Sequence, residues 1–202
     1  MIDFDEIKLY LPKYLSTESE QNLFENLKNF PSDIDSRMYS SLLFEEDVIY
    51  QGDGIDDLLI INLPDTKIKN SKALILSNTC DIDVNNKRIY PSSICYSPII
   101  NLHKYIKKIE SKKIASTERI NQFIQSLKCQ KISQILYLPK NDKLDYESFI
   151  FFDKINSCDS MSISRENLNE KRLFTLSNFG FYLFLFKLSI HFSRIREAVD
   201  RN

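Results

Sequence analysis

Glycine is scarce in this 202-residue chain, with three residues, and proline adds only six. Collagen-like and linker-rich architectures are excluded on that ground, and 43% hydrophobic with 27% charged residues excludes wholesale disorder. Neither sign of charge dominates: 27 Lys and Arg stand against 28 Asp and Glu, a formal net charge of −1. A histone-like, polyanion-coating role is excluded, and a nucleic-acid partner would need a local basic patch. Paired cysteines are also missing. Cys80, Cys95, Cys129 and Cys158 form no Cys-x-x-Cys, and the histidines are His103 and His191 alone. Structural zinc normally shows a closely spaced pair, so the sequence calls for no metal and no cofactor. The longest apolar run, Phe179 to Ile190, is broken by Gly180, Lys187 and Ser189 and falls short of the ~20 residues that span a bilayer. The amino terminus lacks the basic and apolar regions of a secretory signal. The expectation is a cytoplasmic protein with reduced thiols and no membrane segment.

Several secondary-structure patterns are present. Residues 1–47 read as a helical amino-terminal extension, with a capping box at Thr17-Glu18-Ser19-Glu20, a face of Leu23, Phe24 and Leu27, and a stop at Pro31. A short helical or extended piece follows over Arg37 to Phe44. From Val48 the pattern turns to short apolar runs between turn residues, which predicts strands at Val48 to Tyr50, Asp57 to Leu63, Ala73 to Ser77 and Ser93 to Ile99. A two-helix insertion is expected over about 102–131, because Leu102, Tyr105, Ile106 and Ile109 share one face and Ile120, Phe123, Ile124 and Leu127 another. Strands return at Ile135 to Leu138 and Ser148 to Ile155. A long helix closes the chain over about 175–200, with Phe179, Leu183, Phe186 and Ile190 as its buried stripe. The expected fold class is α+β, a small β-barrel over residues 48–202 decorated by these helices.

Gln51-Gly52-Asp53, Leu58 to Pro64, Ser71 to Asn78 and Tyr96-Ser97-Pro98-Ile99 form an ordered series. The series resembles the PemK/MazF family of small SH3-like barrel toxins, and Glu147 to Ile155 is similar to that family's late strand segment. The resemblance covers about half the chain, within roughly residues 50–195. It implies a PemK-like barrel, a toxin or phage-defence setting, RNA or a protein partner such as an antitoxin or defence-system subunit, and a homodimer. Two departures fall on the chemistry. The family's loop arginine aligns with Lys72, which lacks the planar bidentate fork. Its catalytic hydroxyl aligns with Ile100, which has no proton to give or take.

The residues themselves suggest further chemistry. Cys80 and Asp81, in Ser77-Asn78-Thr79-Cys80-Asp81, are a nucleophile and neighbour at a strand end, or else a packed thiol in an Asx turn. Lys187, His191, Arg194 and Arg201 repeat at helical spacing, giving a phosphate-binding stripe with His191 as acid or base, or a solvated helix end. Lys104, Lys107, Lys108, Lys112 and Lys113 surround Tyr105, a pattern that binds single strands or forms the wet face of a helix. Glu45, Glu46, Asp47, Asp53, Asp56 and Asp57 are a metal-binding set if they converge, and a wet acidic loop otherwise. The leading expectation is a non-catalytic interaction module that binds RNA or a protein partner. The alternative is a metal-independent endoribonuclease using Lys72, His191 and Arg194.

Overall fold

The computed structural model describes residues 37–193, so the amino-terminal capping box and the stretch expected to extend the terminal helix to about residue 200 lie outside the described residues. The strands are β1 Tyr39–Ser40, β2 Gly54–Asn62, β3 Asp65–Ile75, β4 Ser93–Pro98, β5 Ile100–Asn101, β6 Ile135–Leu138, β7 Ser148–Phe151, β8 Asn156–Asp159 and β9 Arg172–Leu176. The helices are α1 Thr79–Ile82, α2 Leu102–Ser111, α3 Thr117–Lys128, α4 Leu168–Lys171 and α5 Asn178–Ser193. A six-stranded antiparallel sheet runs β1-β9-β2-β3-β4-β8, and a three-stranded one runs β5-β7-β6. The fold class is α+β, as expected, but among the described residues no hydrogen-bonded ladder closes the large sheet into a barrel. Side chains bridge the gap instead. Asn156 on β8 accepts from the Ile61 N–H at 2.8 Å, and the Tyr96 hydroxyl on β4 donates to the Leu59 carbonyl at 2.6 Å.

The alternation in β3 explains the layering. Ala73 and Ile75 enter a core inside the curled sheet with Ile55, Leu58, Ile94 and Tyr96. Leu74 and Leu76 point the other way, into a core shared with Leu136, Ile150, Phe152, Phe174 and the terminal helix. A period of two thus feeds two cores from one strand. As expected, Ala73 to Ile75 and the Tyr96 to Pro98 segment are neighbours, with Leu74 opposite Ser97. At Ile99 the chain leaves the large sheet. Ile100 pairs with Phe149 in the small sheet, and α2 begins just after Asn101, whose Oδ1 caps it by accepting from the Lys104 N–H at 2.9 Å.

The structure corrects four expectations. Val48 to Tyr50 is no strand: its backbone is held by side chains, the Val48 carbonyl by Arg172 and the Tyr50 N–H by Asp53 at 3.0 Å. The run from Ser148 to Ile155 stops at Phe151, and the chain turns through Lys154 to join β4 of the other sheet as β8. Thr175 lies in β9, a wholly buried strand, so the terminal helix starts only at Asn178. That helix buries Phe179, Leu183, Phe184 and Lys187 rather than a single stripe through Phe186, which is half-buried, because a helix apolar on all sides is covered on more than one face. Before residue 47, Met38 is fully buried and β1 pairs with β9.

All three glycines sit where a Cβ would crowd a neighbour, Gly54 at 2.5 Å from the Phe174 ring. Gly52 has φ of +88°, which L side chains rarely adopt. A Cβ on Gly180 would sit 2.2 Å from the Met38 carbonyl oxygen, a backbone atom that cannot swing aside. Gly180→Ala is therefore expected to cost about 3 kcal/mol by overpacking, read as a lower urea midpoint with unchanged m. An unchanged midpoint would mean that the Met38 backbone does not press on α5.

Candidate nucleic-acid interface

Where the chain changes sheets, it opens a groove of about 530 Å³ between the β2–β3 hairpin and α2. Ile60, Asn62, Lys69 and Ser71 form the hairpin wall. Alternation places Lys69 beside Ile60 in register, so both face the groove while Ile61 and Ile68 face out. The opposite wall is α2 with its C-cap Lys112, where Lys104, Lys108 and Lys112 recur every fourth residue and so share one face with Tyr105 and Ile109. Lys154, in the turn after β7, closes one end, its ammonium 5.2 Å from the Phe151 ring centroid. The floor is apolar, from Pro98, Ile99 and Ile100.

Among the described residues five lysines line this groove, and no Asp, Glu, His or Cys does. Like charges without counterions raise the local potential and attract a polyanion. Tyr105 is held edge-on against Phe149 at 5.1 Å between centroids, which fixes a half-buried aromatic among the ammonium groups. The combination of cations, one fixed ring and an apolar floor suits an unpaired strand, whose phosphates meet the rim while a base covers the floor. Asn62, Ser71 and Asn101 add hydrogen-bonding groups.

No family model and no curated protein matches the chain.

The candidate residues scatter around this groove. Lys104 and Lys108 line it, whereas Lys107 is exposed on another side of α2. Lys187 is 3% exposed, and its ammonium donates to the carbonyls of Gln130 at 2.7 Å and Ile132 at 3.0 Å. The expected solvent-facing stripe is corrected there: this lysine caps the end of the insertion from inside, and burial pushes its pKa down to about 7. His191 packs its ring on Phe152 at 5.9 Å and Phe192 at 4.8 Å. Arg194 and Arg201 lie outside the described residues. Lys72 sits 5.2 Å from the Tyr146 ring centroid, away from the groove lining. No hydrogen bond, ion pair or ring contact joins Lys72 to His191 among the described residues.

Cys80 is exposed in the first turn of α1, with its N–H on the Asn78 side chain at 2.9 Å. Asp81 pairs with Arg88 at 2.6 Å, so the carboxylate beside the thiol is already engaged. The acidic cluster disperses rather than converging. Asp53 is buried against Arg172, Glu45 accepts from Asn169, and Asp57 faces Lys171 and Asn70. Among the described residues no group of three His, Cys, Asp or Glu could hold a metal. No helix among them is long and apolar enough to cross a membrane.

Sequence reasoning did not assemble Lys69, Ser71 and Lys154 into the site. The available signal was Lys67-Ile68-Lys69 alternating in a strand, which places lysine on one face of the hairpin. Nothing local tells which helix that face meets.

Proposed function

We propose that this chain is a non-catalytic, RNA-binding interaction module similar to PemK/MazF toxins, of the kind used in toxin or phage-defence systems. One observation carries the reading: a groove lined, among the described residues, by five lysines with one fixed tyrosine and no acid, imidazole or thiol. Ile100, which resemblance aligns with the family's catalytic hydroxyl, forms part of its aliphatic floor. Cleavage of RNA without a metal needs a base for the 2′-hydroxyl and an acid for the leaving oxygen. For either role the described lining offers only its lysines and Tyr105.

The test is binding of a labelled single-stranded RNA by fluorescence anisotropy across a salt series. Each phosphate neutralised on a single strand contributes about −0.7 to the slope of log K against log salt. Lys104→Gln with Lys108→Gln is expected to flatten that slope by about 1.4 while circular dichroism stays unchanged. An unchanged slope places RNA elsewhere or nowhere. The same preparations are expected to leave the RNA intact between pH 5 and 9. Reproducible cleavage by the wild type that disappears in His191→Ala would establish the endoribonuclease reading, because a general acid or base contributes ~10²–10⁴ in rate and little to affinity.

A further inference from the structure

On the other side of α2 from the lysine groove lies a second cavity, of about 300 Å³, at the small end of the range for ligand pockets. Leu102, Ile106 and Ile124 give it an apolar lining. His103, Lys140, Asp145, Tyr146 and Glu147 supply its polar groups. None of these belongs to the RNA groove. Both signs of charge therefore stand over one small apolar surface.

The polar groups differ in how far they are committed. Glu147 is anchored: its Oε1 accepts from the Tyr137 hydroxyl at 2.7 Å and from Lys128 at 2.5 Å, while its backbone carbonyl takes the Leu102 N–H at 3.0 Å. Burial acts to raise its pKa, but the bonds from Lys128 and Tyr137 and the charges of Lys128 and Lys140 outweigh that and hold it low. The group is thus a fixed carboxylate whose Oε2 carries no bond within the described residues. Lys140 and Asp145 are both exposed, and neither makes an ion pair or side-chain hydrogen bond among the described residues. They do not neutralise each other. One uncommitted cation and one uncommitted anion remain beside the anchored carboxylate, which Lys128 already balances.

A polyanion is disfavoured by the two carboxylates, and a purely apolar ligand would make no use of the uncommitted Lys140 and Asp145. A ligand with one charge of each sign on adjacent atoms and an apolar body matches the uncommitted cation, the carboxylates and the apolar lining. We propose that it binds a free α-amino acid with an apolar side chain. The carboxylate meets Lys140, the ammonium meets Asp145 and the open oxygen of Glu147, and the side chain lies on Leu102, Ile106 and Ile124.

The experiment is calorimetric titration of the full chain with L-leucine and L-phenylalanine, beside leucinamide, which lacks the carboxylate, N-acetyl-leucine, which lacks the ammonium, and glycine, which lacks the apolar body. Leucine or phenylalanine is expected to bind at least about tenfold more tightly than any of the three controls. In Lys140→Met the advantage of leucine over leucinamide is expected to vanish, and in Asp145→Asn its advantage over N-acetyl-leucine. Both positions are exposed, so these variants keep the fold, and RNA binding measured on the same samples is expected to be unchanged. The proposal is overturned if neither amino acid binds at about 10 mM, or if leucinamide and N-acetyl-leucine bind as well as leucine. Loss of RNA binding alone would bear on the groove and leave this result standing.

Discussion

Arg172→Met is expected to abolish the folded state at 37 °C. Arg172 is fully buried in β9 and donates through Nε to Asp53 at 3.1 Å. Its Nη1 reaches the carbonyls of Leu43 at 3.2 Å, Phe44 at 2.6 Å and Glu46 at 2.7 Å, and Nη2 reaches that of Val48. One planar group thus binds four carbonyls of an irregular segment, residues 43–48, that is not a strand. Removing it leaves Asp53 buried without a counter-charge, a loss of ~3–5 kcal/mol, and orphans the carbonyls at ~1–3 kcal/mol for each that water cannot reach. That total is comparable to the whole stability of a domain, about 5–15 kcal/mol. Arg172→Lys should lie between, because an ammonium has three donors and no fork. The double variant Asp53→Leu with Arg172→Met should be more stable than Arg172→Met alone, since it removes the stranded carboxylate. A soluble Arg172→Met protein with the wild-type melting temperature would show that the segment is held by other contacts. Burial also raises the Asp53 pKa to about 6, outweighing the attraction of Arg172. A folded-state value above the unfolded one gives a contribution present at low pH and lost as pH rises through about 6.

Lys187 sets the opposite slope at higher pH. Its folded pKa of about 7 lies below the ordinary lysine value, because burial penalises the charged form. A depressed value means that the unfolded chain binds the proton more readily, so stability rises as pH climbs above about 7. Between pH 7 and 9 the gain should be about 2 kcal/mol, from one proton over two pH units. Above that window Cys158 and Tyr96, whose pKa values burial raises, act in the other direction. Lys187→Met is expected to flatten the pH 7–9 slope in urea unfolding, while losing donors to Gln130 and Ile132 at a cost that does not vary with pH. A slope that survives the substitution would assign it to another group.

Strand and helix positions were legible where local pattern alone decides them. Ile135 to Leu138 is a strand at the expected bounds, and the insertion folds as two helices with Asn101 and Ser116 as caps. Amphipathic spacing and capping chemistry act over a few residues, so the sequence displays them directly. Strand β9 was not legible. Arg172 and Thr175 interrupt its apolar residues, and the charge becomes tolerable only through Asp53, 119 positions away. Lys187 is the same case: a lysine at helical spacing looks solvent-facing until Gln130 and Ile132 are placed over it.

For the candidate interface, the sequence determined that lysines surround Tyr105 and that Ile100 has no catalytic proton. Both statements depend only on residue identity and short spacing. Only the tertiary structure decided that Lys104 and Lys108 face Lys69 and Lys154 across one groove, and that Lys187 and Lys72 do not. The reason is the change of sheet at Ile99 and Ile100, which swings α2 against the β2–β3 hairpin. Such a meeting of distant segments is fixed by how apolar faces of several elements bury each other, and no short stretch of sequence carries that information.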